Sequence, residues 1–420
     1  MKVQRCKGTR DVSSPEMARF RLIEGAFRDC CLRWGYGEVR TPTLEYLHLF
    51  TSTGTLTPGM LGRVYSFLDW DGWSGERVVL RPDGTIPVAR FYIDAMQEKG
   101  QAKLFYVTNV FIFEETGKET RERWQCGAEL IGAGSAIADV ELMTMALEVL
   151  NRLGVRGVEL RLSHAGLIRA LLVKLGLSPR EQDRIFDQIL NGDMKTLAGI
   201  KPRGHELDGD LTMLLDLKGK SSGLIKNLKA VATREMPELE PAIDNFIDVV
   251  ELVEALGYDY QIDIASGRGF EYYTGVIFQL FIGEEKIGGG GRYDALIPVL
   301  GGRNIPASGF ALYVDRLMSL IASEALAESS AQRILVKVEA SVAKEGFRIV
   351  GDLHEAGYVA ELDLGGKELT NLRWTLDVRS KAPLFVLTDL VKQRKFELPA
   401  ASEILAILGE EECASKSSPT

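Results

Sequence analysis

Strand-like runs fall into two groups in this chain, and between them, from about His164 to Leu256, no strand alternation occurs. That interval reads as a helical insertion near residues 165–257, and Ser178-Pro179-Arg180-Glu181 within it forms a capping box with proline at the first helical position. The first group starts with an amphipathic helix over Pro15–Trp34, where Met17, Phe20, Leu22, Ile23, Phe27 and Leu32 recur at helical spacing. An extended segment follows at Glu38–Pro42, and Pro42, which cannot donate to a sheet ladder, implies that this strand ends or lies at an edge there. Val78–Leu80, Lys103–Phe113, Glu129–Gly132 and residues 157–162 read as strands, with a helix over Ala138–Leu153. The second group is Tyr260–Ile264 and Gly275–Ile282, followed by the glycine cluster 288–291 and a last core helix over about Gly309–Ile321.

Ala322–Gln332 is small and polar, so a linker is expected at 323–332, closing a core over 1–322. Residues 333–408 then alternate strand and helix as a small α/β domain: Ile334–Val338, a helix through Leu353, Val359–Leu364, a helix near Leu369, and Leu384–Leu387. The polar tail 409–420 is expected to be disordered. With 420 residues, 45% hydrophobic and 26% charged, the chain fits two or three soluble domains. It has no apolar run of membrane-spanning length and no apolar stretch after its basic N-terminus. Five cysteines without metal-type spacing point to a reduced, cytoplasmic protein without structural zinc, and neither a metal site nor a cofactor is expected. A net charge of −9 weighs against a large nucleic-acid surface.

Four separated segments carry the chemistry. They are Lys7-Gly8-Thr9-Arg10-Asp11 with Arg40–Tyr46; Leu80-Arg81-Pro82-Asp83-Gly84-Thr85; Phe111–Glu114 with Gln125–Gly132; and Arg268–Gly275 with Gly289–Asp294 and Gly309–Leu317. In this order they resemble the class II histidyl-tRNA synthetase core, its three class motifs plus two histidine motifs. The resemblance implies an α+β fold: an antiparallel sheet core with a helical insertion, a small C-terminal α/β domain like the anticodon-binding domain, and dimerisation through Arg40–Tyr46.

By the same resemblance, Asp83, Gln125, Glu129, Arg268, Tyr272 and Tyr273 occupy the places of a histidine pocket. Asp83 stands where the synthetases usually carry the longer Glu. Buried carboxylates at 83 and 129 are costly alone, so a bound ammonium and imidazole give them partners. The plainer alternative is internal ion pairing with Arg81 or Arg268.

The activation machinery departs from the synthetase pattern. Ile112 takes the place of the arginine that meets the ATP α-phosphate, and Tyr313 precedes Val314-Asp315-Arg316 where small residues are usual. Arg121, Arg123 and Arg316 are the remaining candidates for nucleotide or anion contacts. Residues 333–403 hold eleven Lys/Arg against eleven Asp/Glu, without the basic excess that a tRNA-binding domain needs. Thr108–Phe111, Gln125–Gly132 and Pro306–Ala311 are similar to the non-catalytic branch, the regulatory subunits of ATP phosphoribosyltransferase. That branch implies no activity of the chain's own, the short-form catalytic subunit as partner, histidine as ligand and no tRNA. The alternatives are an active histidyl-tRNA synthetase, and a histidine- or tRNA-sensing module unrelated to the biosynthetic enzyme.

Overall fold

The computed structural model describes residues 3–56, 58–69, 75–112, 120–174, 178, 181, 218–235, 237–264, 272–321, 333–365 and 372–416. The chain divides into two compact units, Met1–Ala322 and Ser323–Thr420. Strands of the first unit are β1 (Gly37–Glu38), β2 (Leu44–Tyr46), β3 (Ser66–Leu68), β4 (Arg77–Leu80), β5 (Ala102–Phe111), β6 (Glu122–Ile131), β7 (Glu159–His164), β8 (Lys218–Gly219), β9 (Tyr260–Asp263), β10 (Val276–Ile282), β11 (Glu285–Arg292) and β12 (Ala307–Tyr313). Its helices are α1 (Ser14–Arg33), α2 (Leu47–Ser52), α3 (Thr85–Ala95), α4 (Ala136–Arg152), α5 (Ala165–Lys174), α6 (Ser222–Glu235), α7 (Glu240–Ala255), α8 (Leu296–Val299) and α9 (Val314–Leu320).

Nine strands form one sheet in the order β1-β5-β6-β12-β11-β10-β7-β9-β8. The central six, β5 to β7, are antiparallel throughout. This is the expected architecture, with β1 at the edge ahead of Pro42. A small antiparallel sheet, β2-β4-β3, lies apart from the large one. Helix α1 seats its apolar stripe on the large sheet: Phe27, fully buried, meets Phe105 and Phe310 edge-on at 5.9 and 6.2 Å. Burying such a ring contributes about 2–3 kcal/mol. The insertion is represented by α5, α6 and α7, with α7 packed on α4 and α6. Its expected capping box is present, since Ser178 N–H donates to Glu181 Oε2 at 2.9 Å and Glu181 N–H to Ser178 Oγ at 3.4 Å.

One expectation is corrected here and one segment gains an assignment. The glycine cluster, which the sequence left without one, is strand: Gly288–Gly291 lie inside β11, between β10 and β12. A side chain at Gly290 would come within 2.1 Å of the Gly309 carbonyl oxygen. Residues 307–313 are strand β12, and the helix expected from Gly309 begins only at Val314. Pairing on both edges, with β6 and β11, outweighs the weak helical spacing of that segment.

In the second unit β13 (Arg333–Val338), β14 (Val359–Leu362), β15 (Trp374–Val378), β16 (Phe385–Asp389) and β17 (Arg394–Leu398) form a sheet ordered β14-β13-β15-β16-β17. Helices α10 (Ala343–Glu355) and α11 (Ser402–Lys416) accompany it, and Trp374 is fully buried in its core. Helix α11 runs past Leu408 to Lys416, so the tail expected to be disordered from 409 is helical over its first residues. The helix expected near Leu369, and the 323–332 linker, lie outside the described residues.

Candidate functional site

A cleft of about 100 Å³ opens over the middle of the large sheet. Gly289 and Gly290 of β11 and Gly309 of β12 form its floor, Gln125 of β6 and Tyr313 of β12 stand at its sides, and Pro82–Asp83 and Tyr272–Tyr273 close it. Four of the residues expected in the pocket, Asp83, Gln125, Tyr272 and Tyr273, therefore converge on it. Arg268 lies outside the described residues.

Asp83 is 2% exposed and ends the turn that leads into α3. Its Oδ1 accepts the Ile86 N–H at 2.8 Å, which ties the carboxylate to the first turn of the helix that follows it. Its Oδ2 accepts the Tyr272 hydroxyl at 3.2 Å. Burial pushes its carboxyl up to about 6.

Glu129 is 1% exposed and is not itself among the lining residues, but it lies on the same face of β6 as Gln125, opposite Gly309. Tyr106 donates to its Oε1 at 3.1 Å and Tyr293 to its Oε2. Gly309 makes this possible, because a Cβ there would lie 1.7 Å from Glu129 Oε2. Burial pushes the Glu129 carboxyl up to about 8. Burial also holds both tyrosines well above their ordinary range, so they stay protonated donors. Neither Tyr106 nor Tyr293 was among the expected residues. Tyr293 follows the glycine cluster directly, and Tyr106 occupies a buried position of β5, yet an inward tyrosine reads like any core aromatic.

The ion-pair alternative for these carboxylates fails for Arg81. Its guanidinium instead donates to the carbonyls of Thr41, Pro42 and Asn109 at 2.9, 3.0 and 2.8 Å, and to Asn109 Oδ1 at 2.9 Å. The described ion pairs include neither Asp83 nor Glu129. Ile112 and Arg123 line the cleft. Arg121 does not: it packs over Gly8 and donates to the Tyr65 hydroxyl at 3.3 Å. Arg316 pairs with Glu285 at 2.8 Å and lines a second cleft of about 320 Å³ with Arg10, Arg123 and Asp315. Tyr313 lines both clefts.

The histidyl-tRNA synthetase family profile matches residues 8–317. A Dehalococcoides mccartyi protein named ATP phosphoribosyltransferase regulatory subunit is 51% identical over 412 residues, 98% of this chain and 100% of its own. The chain belongs to the ATP phosphoribosyltransferase regulatory subunit family. A histidine–tRNA ligase of Methanosarcina acetivorans is 35% identical, covering 76% of each chain. The fold is also that of an ATP phosphoribosyltransferase regulatory subunit/histidyl-tRNA synthetase from Bacillus halodurans, with a TM-score of 0.75 at 23% identity over 88% of this chain and 95% of that one. The regulatory-subunit family, not the active synthetase, is thus the expectation borne out, in keeping with Ile112 in the cleft wall. No described helix is long and apolar enough to cross a membrane.

The buried carboxylates give this family member a pH signature. Glu129 titrates at about 8 in the folded chain against 4.5 as a free side chain, so the fold binds its proton more tightly. The resulting stabilisation is complete below pH 4.5 and is lost as pH rises through 8. His164, lowered by burial to about 4, is neutral in both states above pH 6.5 and adds nothing in that window. Stability without ligand is therefore expected to fall between pH 6.5 and 8, by up to about 1.4 kcal/mol per pH unit. Denaturant midpoints across this range measure it, and a flat profile with Glu129 intact contradicts the assignment.

Proposed function

We propose that this chain assembles with the catalytic subunit of a short-form ATP phosphoribosyltransferase and makes that enzyme responsive to free histidine. The observation that carries the reading is Asp83 and Glu129: two buried carboxylates around one cleft, held by tyrosine hydroxyls and by no described ion pair. Such groups suit a small ligand that brings a cation and an imidazole N–H. Asp83, Gln125 and Tyr273 face the ligand, Tyr272 orients Asp83, and Glu129 supports the site from its buried position beside Gly309 on the same sheet face. Arg268 completes the set from the sequence. Exposed Leu44, Tyr46 and Phe67 on the small sheet support a homodimer through the Arg40–Tyr46 region. The equal charge count of the C-terminal domain supports a role without tRNA.

A chain that binds a ligand without transforming it acts only through what it contacts. If histidine binds one state of an assembly more tightly, linkage shifts the population and changes activity. Gel filtration of the two chains together, followed by assay with and without histidine, tests this. Co-elution, altered activity, and histidine inhibition that weakens in Arg268→Ala are expected. Two separate peaks, with catalytic activity indifferent to this chain, remove the function and leave the fold.

A further inference from the structure

Arg292 ends β11 and does not line the cleft. Its guanidinium forks onto Asp139 of α4, Nη2 to Oδ1 at 2.7 Å and Nε to Oδ2 at 3.2 Å. Both side chains are buried, 5% and 4% exposed. Nη1 donates to the Ala133 carbonyl and to Asp294 Oδ1, each at 3.2 Å, and Nη2 also to the Ser135 carbonyl at 3.3 Å. The arginine thereby ties the turn before α4, and its first turn, to the sheet.

The main chain of the same residue holds the other side. The Arg292 carbonyl accepts the N–H of Thr274 at 2.8 Å and of Gly275 at 3.3 Å. It also accepts the Thr274 hydroxyl at 3.4 Å. Thr274 Oγ1 in turn accepts the Asp294 N–H at 2.9 Å, and Asp294 Oδ1 accepts the Ala307 N–H at 3.0 Å where β12 begins. Gly275 permits this approach, since a Cβ there would lie 2.9 Å from Arg292 Cδ. The two cleft tyrosines, 272 and 273, are the residues immediately before Thr274.

We infer that the Arg292–Asp139 pair and the Thr274–Asp294 hydrogen bond form a positioning device that sets Tyr272 and Tyr273 against the cleft and ties their placement to the start of α4. This rests on the histidine reading of the cleft given above. None of the four faces the cleft, so they act through the tyrosines. The Tyr272 hydroxyl stands 3.2 Å from Asp83, at the long end of hydrogen-bond range, so a small outward shift of the segment breaks that bond. Ligand affinity then depends on an anchor that makes no ligand contact.

Thr274 is the position to change, because removing either member of the buried ion pair leaves an uncompensated charge and endangers the fold. Thr274→Val keeps the shape but neither accepts the Asp294 amide nor donates to the Arg292 carbonyl; Thr274→Ser keeps the hydroxyl. Both are made in the full chain, histidine is titrated by calorimetry, and co-elution with the catalytic subunit is followed in parallel. Thr274→Val is expected to weaken histidine binding roughly tenfold, and Thr274→Ser by no more than about twofold, with co-elution unchanged in both. Unchanged affinity in Thr274→Val overturns the inference and leaves the histidine reading standing. Joint loss of affinity and co-elution in Thr274→Val, unrescued by serine, also overturns it, as that marks a merely structural residue. If the wild-type chain does not bind histidine, the reading of the cleft falls first and the inference with it.

Discussion

Supplied with histidine, ATP and labelled pyrophosphate, the purified chain is expected to exchange label at least ~10²–10³-fold more slowly than a histidyl-tRNA synthetase. Adenylate formation builds negative charge on the α-phosphate, and a preorganised cation aimed at that charge is worth far more in a closed cleft than in water. Here the wall position is Ile112, which offers neither charge nor a donor. The nearby arginines are placed for other tasks. Arg121 is held over Gly8 and Tyr65, and Arg316 is paired with Glu285. Arg123 lines both clefts, but Tyr313 lines them as well, where smaller residues leave room for a nucleotide in the synthetases. Exchange at the rate of an ordinary synthetase would show that Arg123 replaces the missing donor and that the chain is an enzyme.

Glu129→Ala is expected to weaken histidine binding by five- to a hundredfold, which corresponds to about 1–3 kcal/mol. The loss has two parts. An imidazole N–H above the floor loses its acceptor, and the hydroxyls of Tyr106 and Tyr293 lose the oxygens they now donate to. Unmade buried bonds cost more than made ones contribute, so the truncation acts on the free protein as well as on the complex. Glu129→Gln separates charge from shape, because it keeps an acceptor oxygen and removes the titration near pH 8. Histidine affinity in the alanine variant equal to that of the wild type would mean that the ligand never engages this carboxylate.

The sequence was most legible where residues fall within motifs. Asp83, Gln125 and the Tyr272–Tyr273 pair were legible through their places in motifs that resemble the synthetase core, and all four reach one cleft. Secondary structure was legible where one period dominates, as in α1, α4 and β10, and failed where the signal belongs to a neighbour. Ala307–Tyr313 is a strand because β6 and β11 claim both its edges, a fact held in two distant segments. The four glycines carry no strand signal in isolation, since nothing local says that two strands must pass within van der Waals reach. Tyr106 and Tyr293 were hidden for the opposite reason: their burial is obvious, but that their hydroxyls meet on one carboxylate is visible only in three dimensions.

The floor of main chain and glycine also bears on descent. A surface without side chains cannot be altered gradually, since the smallest substitution at Gly290 or Gly309 collides with backbone or with Glu129 itself. The rim is different: Ile112 and Tyr313 present side chains to the cleft, so a substitution there exchanges one side chain for another. In a lineage shared with synthetases, single mutations could therefore erase adenylation at the rim while the recognition surface beneath stayed locked. The same asymmetry gives protein engineering a direction, because new ligand preferences in this scaffold are accessible from the rim inward and closed from the floor upward.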